Sequence, residues 1–400
     1  MKVLLNSIRG GCLVFALCVL ASAAEEGDGF IHLTNSTCVL ASVAEEGDGI
    51  IHLTNPTLRL GIEKRGGHLM ELRLADHDLN PLSWIKTKET MPTGAHKDAV
   101  YKGHFLCMGR TGMPSPGEMK AGVPMRGEQT GKVWTISSLS DRVVEMECTA
   151  PLDGLKVSRR VELDEKASCF FVTEEFENTG SLGRPNNILQ HATIGPPFLS
   201  KATLINSNAK QGFFHKFEYP DPHRCEDNFP VVRLNESGDQ TTDLRISSDP
   251  VNYLFRHIFD SSAVYGWATA YDPASGLVLG YVWKTRDYPW INFWQQVKEG
   301  KPVAKGLEFG TAGIGESYRR LLETDTRFHG VPSWEYIDAG ETIVKYYLCF
   351  LIEIEKGAEN PHMQVDGHRL ILNGKIELPN PFVENNKSSK SCNTESGKNG

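Results

Sequence analysis

Apolar and polar residues alternate along most of this chain, and the alternation has the period of two expected of half-buried strands. It is plain from Leu58-Arg-Leu-Gly-Ile-Glu63, which reaches a turn at Gly66-Gly67 and continues as His68-Leu-Met-Glu-Leu-Arg-Leu74. Further strand-like segments cover residues 133–139, 142–150, 155–163, 169–177, 263–271, 277–283, 290–296, 343–355 and 368–378. Asp272-Pro-Ala-Ser-Gly276 has the Pro and Gly of a tight hairpin connection. Helical periodicity is scarce; 252–259 and 316–324 are the best short candidates. Many short strands with polar turns predict a mainly β, antiparallel sandwich or barrel.

The two ends depart from this pattern. Lys2 and Arg9 precede the apolar run Cys12-Leu-Val-Phe-Ala-Leu-Cys-Val-Leu20 and the small residues Ala21-Ser-Ala-Ala24, the layout of a secretory signal peptide over 1–24. Residues 18–37 recur as 38–57 with three substitutions. This tandem copy places a second candidate cleavage point after Ala44 and makes 25–47 a duplicated, leader-derived linker. Cleavage predicts a secreted or periplasmic protein with no membrane partner. The Asn-, Lys- and Ser-rich tail, 384–400, is too polar to order itself. One folded domain is therefore expected over 48–380.

Composition narrows the function classes. The net charge is -8 and no basic run exceeds two residues, so a nucleic-acid partner is not expected. Nine cysteines, two of them in the leader, have no framework spacing. Cys148, Cys169 and Cys349 lie in apolar runs and read as buried hydrophobes. His215, His223 and Cys225 beside Glu226 and Asp227 match no zinc spacing, and neither metal nor cofactor is expected. The sequence sets no oligomeric state.

Several segments, in order, resemble the galactose mutarotase-like (aldose 1-epimerase) superfamily. They are Gly66-Gly-His-Leu-Met-Glu-Leu72, Gly103-His-Phe-Leu-Cys-Met-Gly-Arg110, Gly122-Val-Pro-Met-Arg-Gly-Glu128 with Trp134, and Glu177-Asn-Thr-Gly180 followed by Gln190-His191 and Pro197-Phe198. Tyr288-Pro-Trp-Ile-Asn-Phe-Trp294 and Gly306-Leu-Glu-Phe-Gly-Thr311 complete the series, which spans about residues 57–355. The resemblance implies an antiparallel β-supersandwich with a sugar cleft, and a monosaccharide or a saccharide end as partner. It assigns Glu308 as base and His191, in a loop, as acid of an anomer-interconverting isomerase. Arg110 and His104 come from one substrate-binding segment, and Trp290 or Trp294 would stack on the sugar.

Residue chemistry fits the assignment and marks one departure. Ring opening at an anomeric carbon needs one group to take the hydroxyl proton and another to protonate the ring oxygen; a carboxylate and an imidazole can do both. Glu308 lies between Leu307 and Phe309. With those two packed inward it reads either as a solvated outer-face carboxylate or as a cleft residue. Where the superfamily usually has a His-Gly pair, this chain has Arg126-Gly127. Arginine donates hydrogen bonds but cannot shuttle a proton. Arg126 with Arg110 therefore suggests an acidic sugar. Two other functions fit the same scaffold: a non-catalytic carbohydrate-binding protein, and a lyase or hydrolase of polysaccharides.

Overall fold

A computed structural model describes residues 49–86, 101–214, 226–313, 317–366 and 369–382. The expected signal peptide, the duplicated segment 25–47, the tail and the His215, His223 and Cys225 group lie outside the described residues. Two large antiparallel sheets make the body. The ten-stranded sheet runs Ile50–Thr54, Leu58–Glu63, His68–Leu74, His104–Met108, Ile188–Ile194, Lys301–Gly310, Trp290–Lys298, Tyr253–Phe259, Ala209–Phe214, Glu226–Asn228. The eight-stranded sheet runs Leu204–Ser207, Tyr265–Tyr271, Leu277–Lys284, Thr342–Glu353, Cys169–Asn178, Leu155–Leu163, Val143–Ala150, Thr135–Leu139.

Alternation decides what each face carries. One set of alternate side chains from each sheet merges into a single core, with Leu60, Leu106, Leu307 and Phe309 from the larger and Val157, Phe176, Trp283 and Leu351 from the smaller. Across the interface Trp283 stacks on Phe309 at 4.2 Å between ring centroids. Part of the far side of the smaller sheet is covered as well. A three-stranded sheet, Met363–Asp366, Arg369–Leu372 and Ile376–Pro379, lays Leu370, Leu372 and Leu378 against Val278, Val282 and Phe350. Burial on both faces explains why Leu277–Lys284 reads as a nearly continuous apolar run.

The structure corrects three sequence expectations. Residues 252–259 do not form a helix but contain the strand Tyr253–Phe259. Its apolar residues fall on both faces, Phe255 and Phe259 inward and Leu254 and Ile258 outward, so the period of two is hidden. Segment 368–378 is not one strand but two, reversed at Asn373-Gly374. Both turn residues have positive φ, 51° and 67°, the left-handed pair that an Asn-Gly hairpin turn supplies. His191 lies not in a loop but in the middle of Ile188–Ile194, a strand buried along its whole length. The short helix Tyr318–Glu323 does form, capped by the Ser317 side chain. Cys148, Cys169 and Cys349 are buried and free.

Candidate functional site

The site is a row of residues crossing the outer face of the ten-stranded sheet. Register pairs Phe105 with His191, His191 with Glu308, Glu308 with Asn292, and Asn292 with Arg256. Directly paired residues on one face stand side by side. Five strands drawn from distant parts of the sequence thus set an aromatic ring, an imidazole, a carboxyl, an amide and a guanidinium in line. Leu307 and Phe309 are fully buried in the core, so Glu308 must face the other way.

Glu308 and His191 touch. Nε2 of His191 lies 3.0 Å from Oε1 of Glu308, and both side chains are about one-twentieth exposed. On the other side of the carboxyl, Asn292 Nδ2 donates to Oε2 at 3.5 Å. The imidazole is fixed by stacking on Phe105 at 4.3 Å and by the edge of Trp294. Gly306, two residues before Glu308, makes room for the carboxyl: a Cβ there would meet Oε1 at 2.8 Å.

Burial sets the protonation of the pair. It raises the Glu308 carboxyl to about 7, with Arg126 and Arg256 acting against the rise. Burial, with Arg126 as the next cause, holds His191 well below the usual histidine range. In the resting state the proton therefore sits on Glu308, which donates to Nε2. His191 Nδ1 lies 2.9 Å from Thr193 Oγ1, whose hydroxyl can donate to the His191 carbonyl at 3.4 Å. In that orientation Oγ1 accepts from Nδ1–H and leaves Nε2 as the acceptor that Glu308 needs. When the proton crosses to Nε2 both ring nitrogens become donors, and Thr193 Oγ1 stays an acceptor for Nδ1. Thr193→Val removes that oxygen, and the expected result is a roughly tenfold lower rate of the chemistry proposed below, about one hydrogen bond's worth. An unchanged fold and an unchanged substrate KM, with kcat alone reduced, would distinguish positioning from simple loss of structure.

Glu308, His191, Asn292 and Arg256 line a cavity of about 110 Å³, together with Thr111, Arg126 and Trp294. Thr111 Oγ1, Asn292 Oδ1 and Arg126 Nε are buried without a hydrogen-bond partner among the described residues. Buried polar atoms are ordinarily satisfied, so three around one cavity suit a polar guest. Arg126 is held there at a cost: its φ is 67°, a left-handed conformation disfavoured for a residue with a side chain. Its carbonyl accepts from Met108 N at 3.3 Å and from Gln129 Nε2 at 3.0 Å. The guanidinium then lies over Tyr101 and Phe105, 5.0 and 5.5 Å from the ring centroids.

Of the residues singled out from sequence, Glu308, His191, Arg126 and Trp294 come together, and three others do not. Arg110 is buried away from the cavity, bonded to Glu118 and packed 4.6 Å over the Tyr318 ring. It anchors the segment whose two ends, Thr111 and Arg126, reach the cavity. His104 is on the opposite face of its strand, because an even offset from Leu106 points it into the core. There it bonds Gln190 at 3.0 Å, and burial lowers it to about 3. Trp290 is fully buried in a separate cluster with Phe213, Leu321 and Phe328, its Nε1 donating to Pro332 at 2.7 Å. Arg256, Asn292, Thr193 and Thr111 were not singled out. Asn292 lies inside a quoted motif without standing out in it, and Arg256 is aligned with Glu308 only by strand register. Among the described residues no three His, Cys, Asp or Glu side chains are grouped to hold a metal ion.

No sequence-family profile and no curated protein sequence matches the chain. Solved structures do. A galactose mutarotase related enzyme from Lactobacillus acidophilus superposes with a TM-score of 0.56 at 9% identity, covering 78% of this chain and 100% of the other. A galactose mutarotase-like protein from Lactobacillus casei gives 0.53 at 15% identity, covering 76% and 100%. Another from Clostridium acetobutylicum gives 0.52 at 14%, covering 76% and 95%. At such identities the likeness is one of fold.

Proposed function

We propose that this chain, a protein of galactose mutarotase-like fold, interconverts the anomers of a pyranose by acid–base catalysis at Glu308 and His191. The observation that carries the reading is the 3.0 Å contact between the two groups on one cavity wall, with the carboxyl raised to about 7. A pyranose bears its anomeric hydroxyl and its ring oxygen on the same carbon. A carboxylate and an imidazolium side by side can therefore face both at once.

The two groups keep one proton between them throughout. In the reactive form the imidazolium of His191 donates Nε2–H to the ring oxygen while the Glu308 carboxylate takes the anomeric hydroxyl proton. The bond from C1 to the ring oxygen breaks and the aldehyde forms. His191 is left neutral and Glu308 protonated, the state that burial favours at rest. Rotation about C1–C2 presents the other face of the aldehyde. Closure then runs the transfers backwards: the hydroxyl returns its proton to His191, and Glu308 gives its own to the former carbonyl oxygen. Asn292 and Arg256 are placed to hold neighbouring hydroxyls, and Trp294 to cover an apolar sugar face.

This scheme fixes the pH dependence. The rate requires the singly protonated pair. Below the depressed value of His191 both groups are protonated and no base remains. Above about 7 the carboxyl loses the shared proton and no acid remains. Exchange NMR on freshly dissolved aldoses should show kcat/KM highest on the acid side of neutrality and falling about tenfold per pH unit well above 7. A rate that climbs through that range would refute the one-proton pair. Saccharide binding without acceleration at any pH would instead favour a carbohydrate-binding protein on the same fold.

A further inference from the structure

The row across the sheet has a direction, and the direction selects a substrate. This inference rests on the acid–base reading above and deepens it. His191 stands at the ring oxygen and Glu308 at the anomeric hydroxyl. The ring oxygen links C1 to C5, so C5 and its C6 substituent extend past His191, on the side away from Glu308. On that side lies Phe105, which pairs with His191 across the strands and stacks on its ring. Over Phe105 lies the guanidinium of Arg126, 5.5 Å from the ring centroid. C2 and C3 extend the other way, past Glu308, toward Asn292 and Arg256.

We infer that the substrate is a hexuronate-class pyranose, whose C6 carboxylate is bound by Arg126.

Three observations support this. Among the described residues the cavity wall sets the Arg126 guanidinium beside one carboxyl, Glu308, that burial pushes toward neutrality, so it favours a guest with a negative charge. Lys86 is held below the usual lysine range by burial and, next, by the nearby charge of Arg126. Secondly, Arg126 makes no ion pair among the described residues, and its Nε is buried without a partner. A planar carboxylate can satisfy a guanidinium fork with two parallel bonds. Thirdly, the backbone that carries this side chain is pinned. The left-handed backbone at Arg126 and the two bonds to its carbonyl leave little freedom, and Gly127 must follow it: a Cβ there would meet Met108 O at 2.3 Å. A strained residue presenting a buried unpartnered donor to a cavity is the mark of a built contact.

The test compares anomer exchange by NMR for D-glucuronate, D-galacturonate, D-glucose, D-galactose and D-glucose 6-phosphate, with the whole protein and with Arg126→Gln and Arg126→Lys. The unsubstituted protein should prefer each uronate to its neutral hexose by roughly tenfold or more in kcat/KM, the worth of one charge-assisted contact. Arg126→Gln should bring the ratio near one, and Arg126→Lys, which keeps charge without the fork, should restore part of it. Equal rates on neutral and uronate sugars, or a ratio unmoved by Arg126→Gln, overturn the inference and leave the catalytic reading standing. Preference for the 6-phosphate overturns the choice of carboxylate. If no sugar is exchanged faster than in buffer, the catalytic reading fails by itself. NMR titration with D-glucuronate against D-glucose then decides the inference: selective uronate binding that Arg126→Gln removes upholds it, and unselective or absent binding overturns it. Should Arg126→Gln not fold, the substrate series on the unsubstituted protein and on Arg126→Lys decides alone.

Discussion

Glu308→Gln should lower kcat for anomer exchange by roughly 10³-fold, within the range a positioned general acid–base group supplies. The amide keeps the shape and can still donate to His191 Nε2, but it neither accepts the anomeric proton nor returns it. The same substitution should make the protein more stable at alkaline pH. In the folded protein burial raises the carboxyl to about 7, whereas its ordinary value is 4.5. Between those values the folded state holds a proton that the unfolded chain has released. The unfolding free energy therefore falls as pH rises through that window and stays low above it. Glutamine does not ionise, so the variant lacks that loss, and above pH 7 the gain is on the order of 3 kcal/mol at most. Urea melts of both proteins at pH 5 and pH 8 test this directly. Loss of catalysis with a gain in alkaline stability would identify a carboxyl kept for chemistry. Catalysis retained in Glu308→Gln would remove Glu308 from the mechanism.

Breaking the ion pair behind the site should cost about 3–5 kcal/mol of stability, the usual penalty for stranding a buried charge. Glu174 is fully buried between the sheets and accepts from Arg159 Nε at 2.7 Å. Arg159 also donates Nη1–H to Gly67 O at 2.6 Å and lies 4.6 Å over the Trp134 ring. The second carboxylate oxygen accepts from Gln190 Nε2, and Gln190 in turn bonds His104. Gln190 precedes His191 on the same strand and points to the opposite face, so this network lies beneath the imidazole. Glu174→Leu leaves the Arg159 charge without its counterion and Gln190 Nε2 with only the Tyr288 hydroxyl, at 3.2 Å, to accept from it. Arg159→Met with Glu174→Leu removes both charges and should recover much of the loss. Chemical denaturation of the single and double variants measures the difference. A Glu174→Leu protein as stable as its parent would show that this buried pair does not carry the stability there.

Much of the fold was legible because alternation reports burial on one face. Leu155–Leu163 alternates buried and half-buried residues along its whole length, and its pattern alone marks a strand. Two of the strands that build the site were harder. Ile188–Ile194 is buried at every position, and Tyr253–Phe259 at all but one. With apolar residues on both faces the period of two disappears, and one segment read as a loop and the other as a helix. The legible site residues were those whose chemistry stood out in a quoted motif: Glu308, His191, Arg126 and Trp294. His104, Arg110 and Trp290 belonged to the same motifs and were misplaced, because a motif gives a residue's neighbourhood and not the face of the strand it occupies.

The chain's own order of residues determined that strands form, where most of them turn, and that Glu308 must face away from Leu307 and Phe309. Those are local consequences of side-chain alternation and of Gly, Pro and Asn at turns. Which residues would meet Glu308 was decided only when five strands, more than two hundred residues apart at the extremes, locked into register. Register depends on how whole sheets bury their inner faces, a property of the assembled core that no single segment contains. The same assembly set the protonation of Glu308 and His191. A carboxyl shifts toward neutrality only after the surrounding protein has taken it out of water.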